Sequence, residues 1–103
     1  MPRPRKHRAC RDFHGDPVFK PRSIPMTELE AVELDLGELE ALRLCDLEGL
    51  DQEAAGARMG VSRGTVQRLL KTARAKIVRC LVETQALVIR NGEDDANLRA
   101  HGR

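Results

Sequence analysis

Residues Gln52 to Lys71 read QEAAGARMGVSRGTVQRLLK, and this stretch decides how the rest of the chain is read. Gly60 stands where a first helix must stop in a left-handed conformation, which glycine adopts without steric cost. Val61 is placed to plug the corner, and Ser62 to cap a second helix. The opening turns of that second helix carry Arg63, Gln67, Arg68 and Lys71. A helix that begins with such donors can enter a major groove and touch base edges. The expected fold is therefore mainly α, a trihelical helix-turn-helix core.

The flanking segments fit that core. The spacing predicts a helix from Ser62 to about Val82, with Val66, Leu69, Leu70, Ala73 and Ile77 as its core-facing stripe. Arg63, Gln67, Lys71 and Arg74 lie along one flank, and Gly64, Arg68 and Ala75 lie opposite. Upstream, Asp35 and Glu38 form a capping-box pattern. Leu36, Leu39, Leu42, Leu44 and Leu47 are expected to line a largely buried helix. Gly49 and Leu50 read as its stop, and Asp51 as the cap of a short helix ending near Met59. Ala31–Leu34 reads either as a strand or as the end of a helical turn begun at Thr27. A strand is preferred, since Ala86–Ile89 offers a natural partner for a short two-stranded β ribbon. The three prolines of residues 17–25 forbid a helix there, so that segment should wrap the core through Phe19 and Ile24. The expected organisation is a basic flexible arm (1–16), a DNA-binding domain (17–90) and a disordered tail (91–103).

Composition agrees with packed helices. The chain has 103 residues, only 2% aromatic, without Trp or Tyr, so the core must be aliphatic. Net charge is only +2, but its distribution is uneven: +5 over 1–25, −9 over 26–57, +7 over 58–90 and −1 over 91–103. The change from acid to base falls beside the proposed reading helix, where a basic face would attract phosphates. Cys10, Cys45 and Cys80 are scattered and odd in number, and no signal peptide or long apolar run is present. A cytoplasmic protein with free thiols, away from the membrane, is expected.

The candidate base contacts are Arg63, Gly64, Gln67 and Arg68. Arg can pair with guanine and Gln with adenine, while Gly64 lets the backbone approach the groove. The candidate phosphate contacts are Ser62, Thr65, Lys71 and Arg74. Lys76 and Arg79 could serve as backbone contacts or as ordinary surface. The plain alternative for Arg63, Gln67 and Arg68 is a solvated basic face, which the corner motif disfavours; for Lys71 and Arg74, as for Lys76 and Arg79, ordinary surface is an equally good reading. In the arm, Arg3, Arg5, Lys6 and Arg8 could follow a minor groove, although a disordered solubility tail explains them slightly better. His7, Cys10 and His14 have a spacing that could hold zinc, with Cys45 or Cys80 as a fourth ligand. The second close pair of a structural zinc site is missing, so no metal is expected. No catalytic set emerges, so neither an enzyme nor a cofactor is expected. The acids between Glu28 and Glu53 read as helix-surface carboxylates.

Two stretches carry a resemblance beyond the generic motif. ELEALRLCDLEGLDQEAAGARMGVSRGTVQRLLKTARAKI resembles region four of bacterial sigma factors, the part that reads the −35 promoter element. The shared features are the LEGL corner and the GVSRGTV…LL…AR run. With RPRK, FKPRSIPMTELEAVEL and the closing ALVI, residues 2–92 resemble an uncharacterised family of small predicted DNA-binding proteins of bacteria and archaea. One departure is Gly56, where such motifs usually have Ala; it implies a helix weakened by about 1 kcal/mol. The resemblance implies a winged-helix-like DNA-binding fold, double-stranded DNA as partner and a role in transcription regulation. A sigma factor proper is not implied, because nothing resembles the −10-reading helices. A homodimer fits, since specific sites are usually read by paired modules. The alternative function is a protein-interaction module that docks on RNA polymerase through the acidic surface. RNA binding is disfavoured by the lack of aromatic stacking residues.

Overall fold

The computed structural model describes residue 15 and residues 17–90. The four basic arm residues, the His7, Cys10 and His14 spacing and the expected tail lie outside the described residues. The described part is mainly helical, with a small sheet. Its helices are α1 (Leu36–Leu42), α2 (Gln52–Met59) and α3 (Arg63–Glu83), and a π-helical turn, Arg43–Leu47, extends α1. The strands are β1 (Val18–Phe19), β2 (Ala31–Asp35) and β3 (Ala86–Arg90).

β2 and β3 do pair, in parallel, from Ala31 opposite Ala86 to Asp35 opposite Arg90. Parallel strands need a long crossover, which the three helices provide. The expected two-stranded ribbon is in fact three-stranded. β1 lies antiparallel on the other side of β3, with Val18 opposite Val88 and Phe19 opposite Leu87. Pro17 and Pro21 flank this two-residue edge strand, where a missing N–H is tolerated. The Pro17 carbonyl even accepts the Ile89 N–H at 2.7 Å. Phe19 does not pack into the core as expected; it is mostly exposed, and Ile24 is only half-buried.

Each helix begins at the cap its sequence announces. Asp35 Oδ1 accepts the Glu38 N–H at 2.8 Å, and Glu38 Oε1 accepts the Asp35 N–H at 3.0 Å. Asp51 Oδ1 accepts the Ala54 N–H at 2.7 Å, and Ser62 Oγ the Thr65 N–H at 3.1 Å. The α3 stripe packs as expected: Val66, Leu69, Leu70 and Ala73 are buried, with Ile77 half-buried. Val66, Leu69 and Leu70 meet Ala41, Leu44, Ala55 and Met59 of the preceding helical segments. Ala73 joins Leu34 and Ile89 to tie the helices to the sheet, and Leu42 packs against both clusters.

Leu47 departs from expectation. It is 79% exposed rather than part of the buried stripe. The cause is the π turn: the Glu48 N–H reaches five residues back to the Arg43 carbonyl at 2.9 Å. That wider turn rotates Leu47 off the face that Leu44 shares with α3. The chain then reverses at Gly49 (φ 81°), and the Leu50 N–H closes on the Leu44 carbonyl at 2.9 Å. Glu38 and Glu40 were expected on the surface and are instead buried.

The α2–α3 junction is tighter than alanine would allow. Gly60 is left-handed (φ 74°, ψ 30°), and both Gly60 and Val61 donate their N–H groups to the Gly56 carbonyl. A Cβ on Gly56 would stand 2.7 Å from the Val61 carbonyl oxygen, a backbone atom with little freedom to move. Gly56 is thus not merely a weakened helix position. Gly56→Ala should gain about 1 kcal/mol of helix propensity and lose about 1–3 kcal/mol to overpacking. The expected result is a lower midpoint in urea denaturation. A raised midpoint would show that the junction relaxes freely.

At its far end α3 stops on Thr84, which adopts the left-handed conformation (φ 56°) without being glycine. No glycine marked this stop in the sequence.

Candidate nucleic-acid interface

The first turns of α3 project from the domain beside the Gly60 turn. Ser62, the cap, also lies 3.1 Å from Thr65 Oγ1, which accepts Arg68 Nη2–H at 3.3 Å. This small network leans Arg68 back over Gly64, whose missing Cβ would sit 3.6 Å from Arg68 Nη1. Arg63, Gln67 and Lys71 are exposed and have no hydrogen-bond or ion-pair partner among the described residues. They recur at steps of four, so they form one line along the helix. Arg58, in the last turn of α2, is likewise exposed and unpaired among the described residues. Sequence reasoning passed over it, although a cation at a helix C-terminus just before the turn was a usable signal.

Two expected contact residues are placed differently. Arg74 makes a two-pronged pair with Asp46, Nε to Oδ2 at 3.0 Å and Nη2 to Oδ1 at 2.7 Å. The Arg74 hydrogen bonds hold the Asp46 carboxyl below the usual aspartate range, against the opposing effect of burial. A depressed carboxyl favours folding above the unfolded aspartate pKa, and that contribution fades as pH falls through the folded value. Asp46 is therefore ionised at neutral pH, and Arg74's fork is directed at Asp46 rather than outward. Lys76 donates to Glu38 Oε1 at 2.8 Å, to Glu38 Oε2 at 3.0 Å and to the Glu33 carbonyl at 2.6 Å. It is an internal cation. Arg79 stays exposed and unpaired among the described residues.

The acids are largely consumed within the fold. Glu40 binds Arg43 through Oε1 at 3.0 Å and Oε2 at 2.6 Å, and Arg43 also reaches Glu48. Glu33 pairs with Arg90 at 2.9 Å. Asp35 and Asp51 serve as caps. Only Glu28, Glu30 and Glu53, of the ten acids in residues 26–57, lack a side-chain partner among the described residues. Five of those ten acids stand in ion pairs, with Arg43, Arg74, Lys76 and Arg90, whereas Arg63 and Lys71 at the start of α3 have no ion-pair partner among the described residues.

The remaining chemistry is sparse. Burial pushes the Cys45 and Cys80 thiols up, so both stay protonated and weakly nucleophilic. Among the described residues, no three His, Cys, Asp or Glu side chains are grouped to hold a metal ion. No described helix is long and apolar enough to cross a membrane.

Comparison with known proteins places the chain. The profile of the family described as "Protein of unknown function DUF134" matches residues 1–97. A UPF0251 protein of Pelotomaculum thermopropionicum is 48% identical over 92 residues, covering 89% of this chain and 70% of that relative. A UPF0251 protein of Aeromonas salmonicida is 44% identical over 97 residues, covering 94% and 95%. A Moorella thermoacetica relative of the same name is 48% identical over 92 residues, and this chain spans 62% of its length. No solved structure matches. The chain belongs to the DUF134 family, whose matched bacterial members carry the name UPF0251 protein.

Proposed function

We propose that the protein is a sequence-specific DNA-binding regulator of transcription. In this reading α2, the Gly60 turn and α3 work as a helix-turn-helix like that of sigma factor region four. The observation that carries the reading is the line of Arg63, Gln67 and Lys71. These donors stand exposed, without intramolecular partners among the described residues, on the first turns of a capped helix. Arg43, Arg74, Lys76 and Arg90 are by contrast engaged by acids of the fold. The donors of the leading turns are left facing outward, as a groove-reading helix requires.

Arg63 and Gln67 then read base edges, Gly64 admits the backbone, and Arg68 swings out from Thr65 to reach a base. Ser62, Thr65, Lys71 and Arg58 hold phosphates. Arg74 joins them only by releasing Asp46. The rival reading, docking on polymerase through an acidic surface, is weakened by the ion pairs that hold half of those acids within the fold.

The test is a gel-shift titration on genomic fragments at two salt concentrations, followed by selection of the preferred site. Arg63→Ala or Gln67→Ala should each cost about 1–3 kcal/mol on the selected site and relax base choice at one position. Equal losses on selected and scrambled DNA would reduce both residues to phosphate contacts. No retardation at low salt would sink the DNA-binding reading.

A further inference from the structure

Towards its other end α3 exposes a second face. Val78, Leu81 and Val82 follow the three-and-four spacing of one helix side, and Leu81 and Val82 are 77% and 74% exposed. Alongside runs an apolar groove of about 500 Å³, walled by Phe19, Pro21, Ile77, Leu81 and Leu87. Ridge and groove adjoin and share Leu81. Single exposed aliphatics are ordinary, but a contiguous ridge and groove signals a contact surface. We propose that this patch joins two copies of the chain about a two-fold axis, each ridge of Val78 and Val82 seated in the groove of the other.

Three observations select a second copy as the occupant. A two-fold contact needs one patch that carries both the protruding and the receiving surface, and this patch carries both. The chain's own segments outside the described residues are poor fillers. Residues 1–14 hold five Lys/Arg with Phe13 as their one aromatic residue, and residues 91–103 hold five charged residues and Leu98. The flank of the ridge is also self-complementary. Arg79 and Glu83 are both exposed and one helical turn apart, so helices crossing antiparallel about Leu81 bring each Arg79 towards Glu83 of the partner subunit. A buried acceptor at the groove wall, Gln85 Oε1, has no hydrogen-bond partner among the described residues and would gain access to a donor there.

The placement also suits the proposed function, although the dimer does not rest on it. Leu81 lies about 27 Å along α3 from Arg63 at ~1.5 Å per residue, so the joint leaves the leading turns free.

The experiment is light scattering on the full chain without DNA. The wild type should show twice the 11.5 kDa chain mass. Leu81→Glu, at an exposed position outside the core, should keep the helical circular dichroism and halve that mass. A wild type that is monomeric at every attainable concentration overturns the proposal, and so does a Leu81→Glu variant that remains a dimer. A monomeric wild type that associates once Phe13→Ser is introduced also overturns it, and assigns the groove to the chain's own N-terminal segment. Because no DNA is present, failure of the DNA-binding reading leaves the outcome untouched.

Discussion

Gly60→Val should lower the unfolding free energy by about 1–3 kcal/mol, the range for a β-branched residue forced into left-handed backbone. Gly60 sits at φ 74° and ψ 30°, and a Cβ there would meet no atom within 4 Å. The Cβ itself therefore meets no crowding, and the loss chiefly reports backbone strain. Gly60→Asn is the matched control. Asn tolerates this conformation better than any β-branched residue, so its loss should be clearly smaller. Urea denaturation of the three proteins checks the order. If Val and Asn variants unfold at the wild-type midpoint, the turn does not need its left-handed residue. The proposed presentation of Arg63 and Gln67 would then lose its structural basis.

What was legible in the sequence was what local chemistry dictates. Gly60, Ser62, Asp51 and the Asp35–Glu38 box each fix a helix boundary through the residue's own backbone preference or a bond spanning three residues. The stripe of α3 follows from periodicity alone. The pairing of β2 with β3 was legible because two short aliphatic runs had no other partner of their kind. What escaped depends on distance or on geometry without a residue signature. β1 has two residues between prolines, and it forms only because β3 has a free edge beside it. The π turn has no marker in RLCDL, so Leu47 looked like a core residue until the wider turn rotated it outward. The exit of α3 at Thr84 carries no glycine. At the candidate interface the exposed donors were found, since their positions follow from the helix phase. The pairs that occupy Arg74 and Lys76 were not, because their partners lie 28 and 38 residues away in the chain.

That last distinction separates two lysines that look alike in the sequence. Lys76→Met should cost about 2–4 kcal/mol of stability, somewhat less than the usual loss on breaking a fully buried ion pair. Glu38 is 5% exposed and takes both oxygens' main contacts from the Lys76 ammonium, which also ties the Glu33 carbonyl on β2. Met preserves the aliphatic stem, so packing changes little, and the buried carboxylate keeps only the Asp35 N–H at 3.0 Å. The loss is moderated because the Lys76 side chain is itself 28% exposed and water can reach part of the site. Adding Glu38→Gln to Lys76→Met should recover part of the loss, because the isolated charge is then gone. Lys71→Ala should behave in the opposite way. Its side chain has no partner among the described residues, so stability should stay within about 0.5 kcal/mol of wild type. If Lys71 holds a phosphate, the slope of log affinity against log salt should flatten by about 0.9. Thermal melts and salt titrations of the two single variants distinguish the roles. A Lys76→Met protein that melts like wild type but binds DNA with a flattened salt slope would move Lys76 out of the fold's internal ion pairs. It would then belong to the binding surface.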